Sequence, residues 1–315
     1  QVQPQAIQRF IENLLEYPVH EVKKLGSGAT STAWRINCGS DQFVFRTTNH
    51  ATNRQITYRS EFLILKSLYA KGLPVPEPIC NSFEQVGEFD ENVSAWAITR
   101  LVVGDPILKN PLTAKVANQL GEFLQILHEL PCSNFGRLDE QSSNLKGQQT
   151  TQISGISARW CWAVLWSYDN SVLSEHPIAS MAPNLLNSLM RVETELWRIT
   201  TQDAVVINHS DLYGEHIFTL HDNLSGIIDF GAAFIGIQGW DFAVLAYYHG
   251  WEMVKVTLKS YSQNSNQYSY LLYQAHYLAL VVGLYKLEKA VKTKRDVNKQ
   301  QRIIQFVAET LSLLN

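Results

Sequence analysis

The chain has 315 residues, 45% of them hydrophobic and 17% charged, with a formal net charge of −3. That apolar fraction supports a full core and excludes global disorder, and the length suits two lobes around one cleft. The slightly negative charge, with no basic stripe along the chain, excludes broad attraction to nucleic acid or anionic lipid.

Taken in order, Gln5 to Leu15 carries Ile7, Phe10, Ile11, Leu14 and Leu15 at helical spacing and predicts a short amphipathic helix. From Val19 to Thr48 the pattern becomes three antiparallel strands, the second pair joined by the glycine-containing turn Asn37 to Asp41. Gly26, Ser27 and Gly28 fall in the first hairpin, where glycines let main-chain N–H groups approach a phosphate; an ordinary flexible turn is the plainer alternative. Arg46 sits inside an apolar strand and needs a partner. Glu61 is the candidate, on a predicted helix from Tyr58 to Leu68 whose apolar face is Phe62, Leu65 and Leu68; a solvent-facing pair is the alternative.

Leu73 to Pro78 ends that helix, because successive prolines cannot continue it. Ser94 to Gly104 reads as a strand running into a connector. Thr113 to Leu130 predicts a helix with Val116, Leu120, Phe123, Leu124 and Leu127 on one face and Pro131 as its stop, and His128 there reads as structural. Cys132 to Ser157 is polar and without periodicity, which predicts a long loop or lid. Trp160, Trp162 and Trp166 either stack on an acceptor or pack a core. Met181 to Thr200 predicts one helix, and Tyr268 to Val291 and Arg295 to Leu314 predict two closing amphipathic helices. The longest apolar stretch, Tyr277 to Tyr285, is far short of the roughly 20 residues of a membrane span, and no basic-then-apolar segment opens the chain. Gln1 in place of an initiating Met points to a trimmed or partial N-terminus. Cys38, Cys80, Cys132 and Cys161 are scattered, which predicts free thiols in a reducing cytoplasm.

The chemistry concentrates between Val205 and Gly231. Asp211 follows the apolar run Val205, Val206, Ile207, and Asp229 follows Ile227 and Ile228. Two short buried strands would each deliver a carboxylate to one edge, making a place for a divalent metal and a reacting hydroxyl. Neighbouring carboxylates repel, so one takes up a proton unless a cation sits between them; Mg²⁺ arriving with a nucleotide is the usual solution.

At three ordered places the sequence resembles the aminoglycoside phosphotransferase and choline kinase-like small-molecule kinases. These are His209-Ser210-Asp211, Ile228-Asp229-Phe230-Gly231 and Gly239 to Ala243. The resemblance implies an α+β, protein-kinase-like two-lobe fold: a small N-lobe of antiparallel sheet plus helix over residues 1–103, and a larger, mainly helical C-lobe over 104–315. It implies a phosphotransferase that moves the γ-phosphoryl group of ATP or GTP, with Mg²⁺, to a hydroxyl of a small molecule, with no nucleic-acid, membrane or obligate protein partner. Asp211 would be the catalytic base and His209 would brace its loop. Gly26, Ser27, Gly28, Arg46 and Glu61 would hold the phosphates, the main chain from Arg100 to Val102 the adenine edge, and Asp229 and His216 the metal. Asp241 would hold the catalytic loop. His216 departs from the Asn most often found there, and imidazole is softer than Mg²⁺ prefers.

Two alternatives start from the same residues. A weak or silent nucleotide-binding protein would keep the fold without transfer. A metal-dependent hydrolase would use His209, Asp211, His216 and Asp229 as ligands, but would leave Arg46 and Glu61 unexplained. Residues 157–200, which build the acceptor pocket in relatives, supply only Asp169, Glu175, Glu193 and Glu195 as acids, and so favour an acceptor that is not strongly polycationic.

Overall fold

A computed structural model describes residues 2–28, 31–49, 56–85, 89–90, 92–108, 110–160, 170–202 and 204–314. The chain forms two compact units. Unit 1 comprises Gln1–Asp105, Asp139–Leu145 and Ser225–Gly231; unit 2 comprises Pro106–Leu138, Lys146–Leu224 and Ala232–Asn315.

Unit 1 begins with α1 (Pro4–Leu15), which buries Ile7 and Ile11. Strands β1 (Glu21–Ser27), β2 (Ser31–Cys38), β3 (Asp41–Asn49), β4 (Pro78–Asn81) and β5 (Val93–Arg100) form an antiparallel sheet in the order β1-β2-β3-β5-β4. Its core joins α1 to Trp34, Ile36, Phe43, Phe45, Trp96 and Ile98. Because strand side chains alternate, Phe43 and Phe45 entering this core put Arg46 on the opposite face. Helix α2 (Arg59–Ala70) buries Glu61, Phe62, Leu65 and Leu68, close to the face expected from sequence. Its first turn is capped from far along the chain: Thr57 Oγ1 and Ser60 Oγ donate to the Glu140 carboxylate at 2.7 and 2.5 Å.

After β6 (Asp105–Pro106), unit 2 is built on α3 (Ala114–His128), whose N-cap Thr113 accepts from the Val116 N–H. The stretch expected as a loop or lid instead forms β7 (Phe135–Leu138), β8 (Gly147–Gln149) and the start of α4 (Gln152–Trp160). Its order comes from main-chain pairing and glycine contacts, which leave no apolar periodicity: a Cβ on Gly136 would lie 2.8 Å from the Gly155 Cα. Short helices follow: α5 (Asn170–Glu175), α6 (Pro177–Met181), α7 (Leu186–Arg191) and α8 (Glu193–Gln202). The single helix expected from Met181 to Thr200 is thus broken, first where Pro183 opens a separate 3₁₀ turn because it cannot donate to the preceding turn.

Strand β9 (Val205–Asn208) leads into His209-Ser210-Asp211. Strands β10 (Ile217–Leu220) and β11 (Asn223–Ile227) flank His221 and Asp222, both left-handed at φ 49° and 57°, the conformation of a tight hairpin turn. Strand β12 (Phe234–Ile237) is wholly buried and pairs antiparallel with both β7 and β9, giving the sheet order β8-β7-β12-β9. The strands that precede Asp211 and Asp229 therefore belong to different sheets, where the sequence suggested one shared edge.

The chain finishes with α9 (Trp240–His249), α10 (Trp251–Tyr261), α11 (Ser265–Lys292) and α12 (Val297–Ser312). Trp160 is fully buried and stacked on Trp240, with centroids 5.0 Å apart and planes 8° from parallel. That settles Trp160 as core rather than acceptor platform; Trp162 and Trp166 lie outside the described residues. Among the described residues Cys38, Cys80 and Cys132 are free thiols, and no helix is long and apolar enough to cross a membrane.

Candidate active site

In unit 2 the site grows from the end of β9. Asn208 is fully buried. Its side-chain amide donates to the Gly236 and Ile237 carbonyls, both at 3.2 Å, and its Oδ1 accepts from the Asp241 N–H at 3.2 Å. The strand end is thereby locked to the first turn of α9. Asp241, also fully buried, answers from that turn: Oδ2 accepts from the His209 N–H at 2.9 Å and Oδ1 from the Ser210 N–H at 2.7 Å. Asp241 Oδ2 also lies 3.1 Å from His128 Nε2, whose Nδ1 is 2.9 Å from the Tyr261 hydroxyl. The carboxylate fixes the proton on Nε2, leaving Nδ1 to accept from Tyr261. The structure thus gives Asp241 the loop-holding place expected of it, and ties in His128, which the sequence suggested only as structural.

Ser210 adopts a left-handed conformation at φ 62°. Such a backbone costs about 1–3 kcal/mol outside glycine and persists only where the surroundings over-determine it. Here they do. The Ser210 hydroxyl donates to the Ala232 carbonyl at 2.6 Å, its N–H is held by Asp241, and its carbonyl accepts from the buried Arg159 guanidinium at 3.2 Å. The strained residue immediately precedes Asp211 and sets the direction in which that side chain leaves.

Asp211 is then pinned by its own loop. Its N–H donates to His209 Nδ1 at 3.2 Å, which makes His209 a brace for the loop. Its carbonyl accepts from the Tyr213 N–H at 2.9 Å and from His216 Nδ1 at 2.8 Å. A carbonyl can only accept, so His216 Nδ1 is the donor. Gly214 permits the turn: its carbonyl accepts from the Leu108 N–H at 2.9 Å, and a Cβ there would stand 1.9 Å from the Leu108 oxygen. The Asp211 side chain stays 28% exposed, with Oδ1 accepting from the Tyr248 hydroxyl at 3.4 Å. Lys286 Nζ in turn donates to Tyr248 at 2.6 Å. Burial, partly opposed by Asp211, pulls the Lys286 ammonium down to about 8. Burial foremost, with Asp211 adding, pushes the Tyr248 hydroxyl up.

In unit 1, Arg46 reaches Glu61 across the sheet face at 2.8 Å, and its guanidinium lies 4.9 Å from the centre of the Tyr58 ring. Burial opposes the charge on Arg46, but Glu61, Tyr58 and Asp229 outweigh it and raise its pKa. Asp229 thus joins the Arg46 and Glu61 pair electrostatically, and is itself left-handed at φ 62°, with Oδ1 accepting from the Gly231 N–H at 3.2 Å. Gly26, Ser27 and Gly28 lie at the end of β1, where the Gly28 N–H is bonded to Ser31. A Cβ on Gly26 would meet nothing within 4 Å, so packing does not demand that glycine. The rest of the hairpin, Ala29 and Thr30, lies outside the described residues. In the connector, the Arg100 N–H is taken by the Glu77 carbonyl and its side chain by Glu77 and Asp41. The Leu101 N–H is taken by Gln42. Val102 follows, half-buried.

Within unit 1, Asp229 carries the hard carboxylate oxygens that Mg²⁺ prefers. Among the described residues no group of three or more His, Cys, Asp or Glu side chains could hold an ion by itself. Mg²⁺ commonly takes one or two protein ligands and fills the rest with water and phosphate. A resident hydrolase metal would need more. Sequence reasoning missed Asn208, Arg159, Tyr248 and Lys286. Only Lys286 left a trace, as a single cation beside the longest apolar run of the chain.

Comparison with curated protein sequences found no match. Solved structures are similar across nearly the whole chain. A thermostable mutant of aminoglycoside phosphotransferase APH(4)-Ia, in a ternary complex with ADP and hygromycin B, is 17% identical with a TM-score of 0.68, covering 96% of this chain and 98% of its own. The GDP complex of aminoglycoside 2'-phosphotransferase-IIIa is 16% identical with a TM-score of 0.64, covering 100% of both chains. Spectinomycin phosphotransferase APH(9)-Ia, with ADP and spectinomycin, is 12% identical with a TM-score of 0.59, covering 98% of this chain and 94% of its own. At these identities the likeness is one of fold. The model of the phosphotransferase enzyme family matches residues 21–257, which include Arg46, Glu61, Asp211 and Asp229, and the chain belongs to that family.

Proposed function

We propose that the protein transfers the γ-phosphoryl group of ATP or GTP to a hydroxyl of a small molecule, with Asp211 as the base. The observation that carries this reading is the over-determined setting of Asp211: a strained, fully bonded Ser210 before it, three hydrogen bonds on its main chain, and a carboxylate still open to solvent. Phosphoryl transfer depends on positioning and charge neutralisation more than on covalent chemistry by the protein, and such a mount supplies positioning. The acceptor hydroxyl donates to Asp211 and gives up its proton as its oxygen bonds to the γ-phosphorus. The bond from that phosphorus to the bridging oxygen breaks, and the nucleoside diphosphate leaves with the electron pair.

Arg46, oriented by Glu61, and the Gly26 to Gly28 main chain would hold the phosphates, and the main chain at Val102 would take the base. Asp229 and His216 would hold Mg²⁺. The ion supplies charge neutralisation at the phosphate oxygens. His209 acts on Asp211 through the loop and is a positioning residue. The relatives' bound nucleotides, ADP and GDP, support either donor.

A library of hydroxyl compounds screened for diphosphate production from Mg-nucleotide, with wild type and Asp211→Asn side by side, tests the assignment. Wild type is expected to exceed the variant by about 10²–10⁴-fold, the usual worth of a placed general base. Equal rates from both proteins would remove Asp211 from the mechanism.

A further inference from the structure

We propose that Lys286 forms a subsite for an anionic group of the acceptor, a carboxylate or a phosphate, so that the alcohol substrate carries negative charge near its reacting hydroxyl. The assignment rests on Asp211 being the carboxylate that receives that hydroxyl. Lys286 enters from α11 and stands two hydrogen bonds from the Asp211 carboxylate, through the Tyr248 hydroxyl of α9. An acceptor seated on Asp211 therefore brings the substituents next to its hydroxyl towards the ammonium.

The ammonium is under-used where it stands. It has three N–H donors and, among the described residues, spends one, on Tyr248. It lies 4.9 and 5.5 Å from the centres of the Tyr248 and Tyr247 rings. Among the described residues, more cations than acids act on it. Among the described residues Asp211 raises its pKa, against Arg159 from α4, Lys289 from its own helix and Lys299 from α12. Holding a tyrosine in place needs no charge; an amide or hydroxyl would do so without the cost of burying an ammonium. An incoming oxyanion would take up the unused donors and balance the field. A polycationic acceptor would meet Lys286 and Arg159 as like charges, which sets this site apart from one built for amino sugars.

The test follows the Lys286 side chain itself by NMR, in full-length protein labelled at lysine Cε, with the resonance identified by its loss in Lys286→Met. Acetate and inorganic phosphate are titrated against sodium chloride at matched ionic strength. The expected result is a saturable shift with acetate and phosphate, and an ammonium that titrates at higher pH when either is bound. A resonance that follows ionic strength alone overturns the subsite. The anion effect should survive Asp211→Asn, because the anion is held by Lys286; nucleotide turnover should not. Anion binding without turnover would count against the kinase reading alone, and turnover without anion binding against the subsite alone. For acceptors that are phosphorylated, Lys286→Met is expected to raise KM by about tenfold or more with kcat little changed, the worth of one charged hydrogen bond. An unchanged KM would overturn the proposal.

Discussion

Replacing Asp241 with alanine removes the acceptor for three buried donors at once: the His209 N–H at 2.9 Å, the Ser210 N–H at 2.7 Å and the His128 imidazole at 3.1 Å. A buried donor left without a partner costs about 1–3 kcal/mol, and water entering the hole would re-pair part of the set, so the expected loss is about 3–5 kcal/mol. That is a large share of the roughly 5–15 kcal/mol that holds a domain together. Asp241→Asn keeps the shape but turns an N–H₂ towards another N–H, so about 2 kcal/mol is expected. Urea unfolding reads both, followed by tryptophan fluorescence because the stacked Trp160 and Trp240 lie in the core of the same unit. Amide hydrogen exchange at His209 and Ser210 should accelerate in step with the lost stability. A loss below about 1 kcal/mol for Asp241→Ala would mean that the loop is held by something other than this carboxylate, and the account of how Ser210 tolerates its strain would fall with it.

Gly214→Ala places a methyl carbon where 1.9 Å separates it from the Leu108 oxygen, a distance that only backbone movement can relieve. A melting temperature lower by several degrees is expected, together with loss of order in the Asp211 to His216 loop by NMR; an unchanged melting curve would refute the close approach. Lys286 gives a pH signature. Its folded-state value near 8 lies below the ordinary 10.5, so between those pH values the unfolded chain holds a proton that the folded chain does not. Stability should therefore rise with pH across that window, by up to about 3 kcal/mol, and the rise should be absent in Lys286→Met. Parallel stability curves for the two proteins would show that the ammonium is not desolvated in the folded state.

Most of the fold was legible because long amphipathic patterns leave regular traces. The apolar faces of α2, α3 and α12 and the alternation through β2 and β3 follow from spacing, while Glu61 was one of two readings for Arg46 and the structure pairs them. The region from Cys132 to Thr200 was not legible, for a definite reason. β7 and β8 are held by main-chain pairing and by glycine contacts, and the helices around Pro183 are too short to show a period. The site divides the same way. His209, Asp211 and Asp229 are marked by their motifs. Arg159, Tyr248 and Lys286 converge on one loop from three helices distant in sequence, and nothing local in the chain records that meeting.

Unit 1 is assembled from three stretches of chain, the last ending at Gly231. A ribosome that has released Asp105 has delivered the N-terminal sheet and α2, but neither Glu140, which caps α2, nor Asp229, whose charge acts on Arg46. The nascent protein must keep that sheet from wrong partners while more than a hundred further residues are made. A fragment cut after Asp105 would lack the Glu140 and Asp229 carboxylates, so the smaller unit is a poor choice for separate expression.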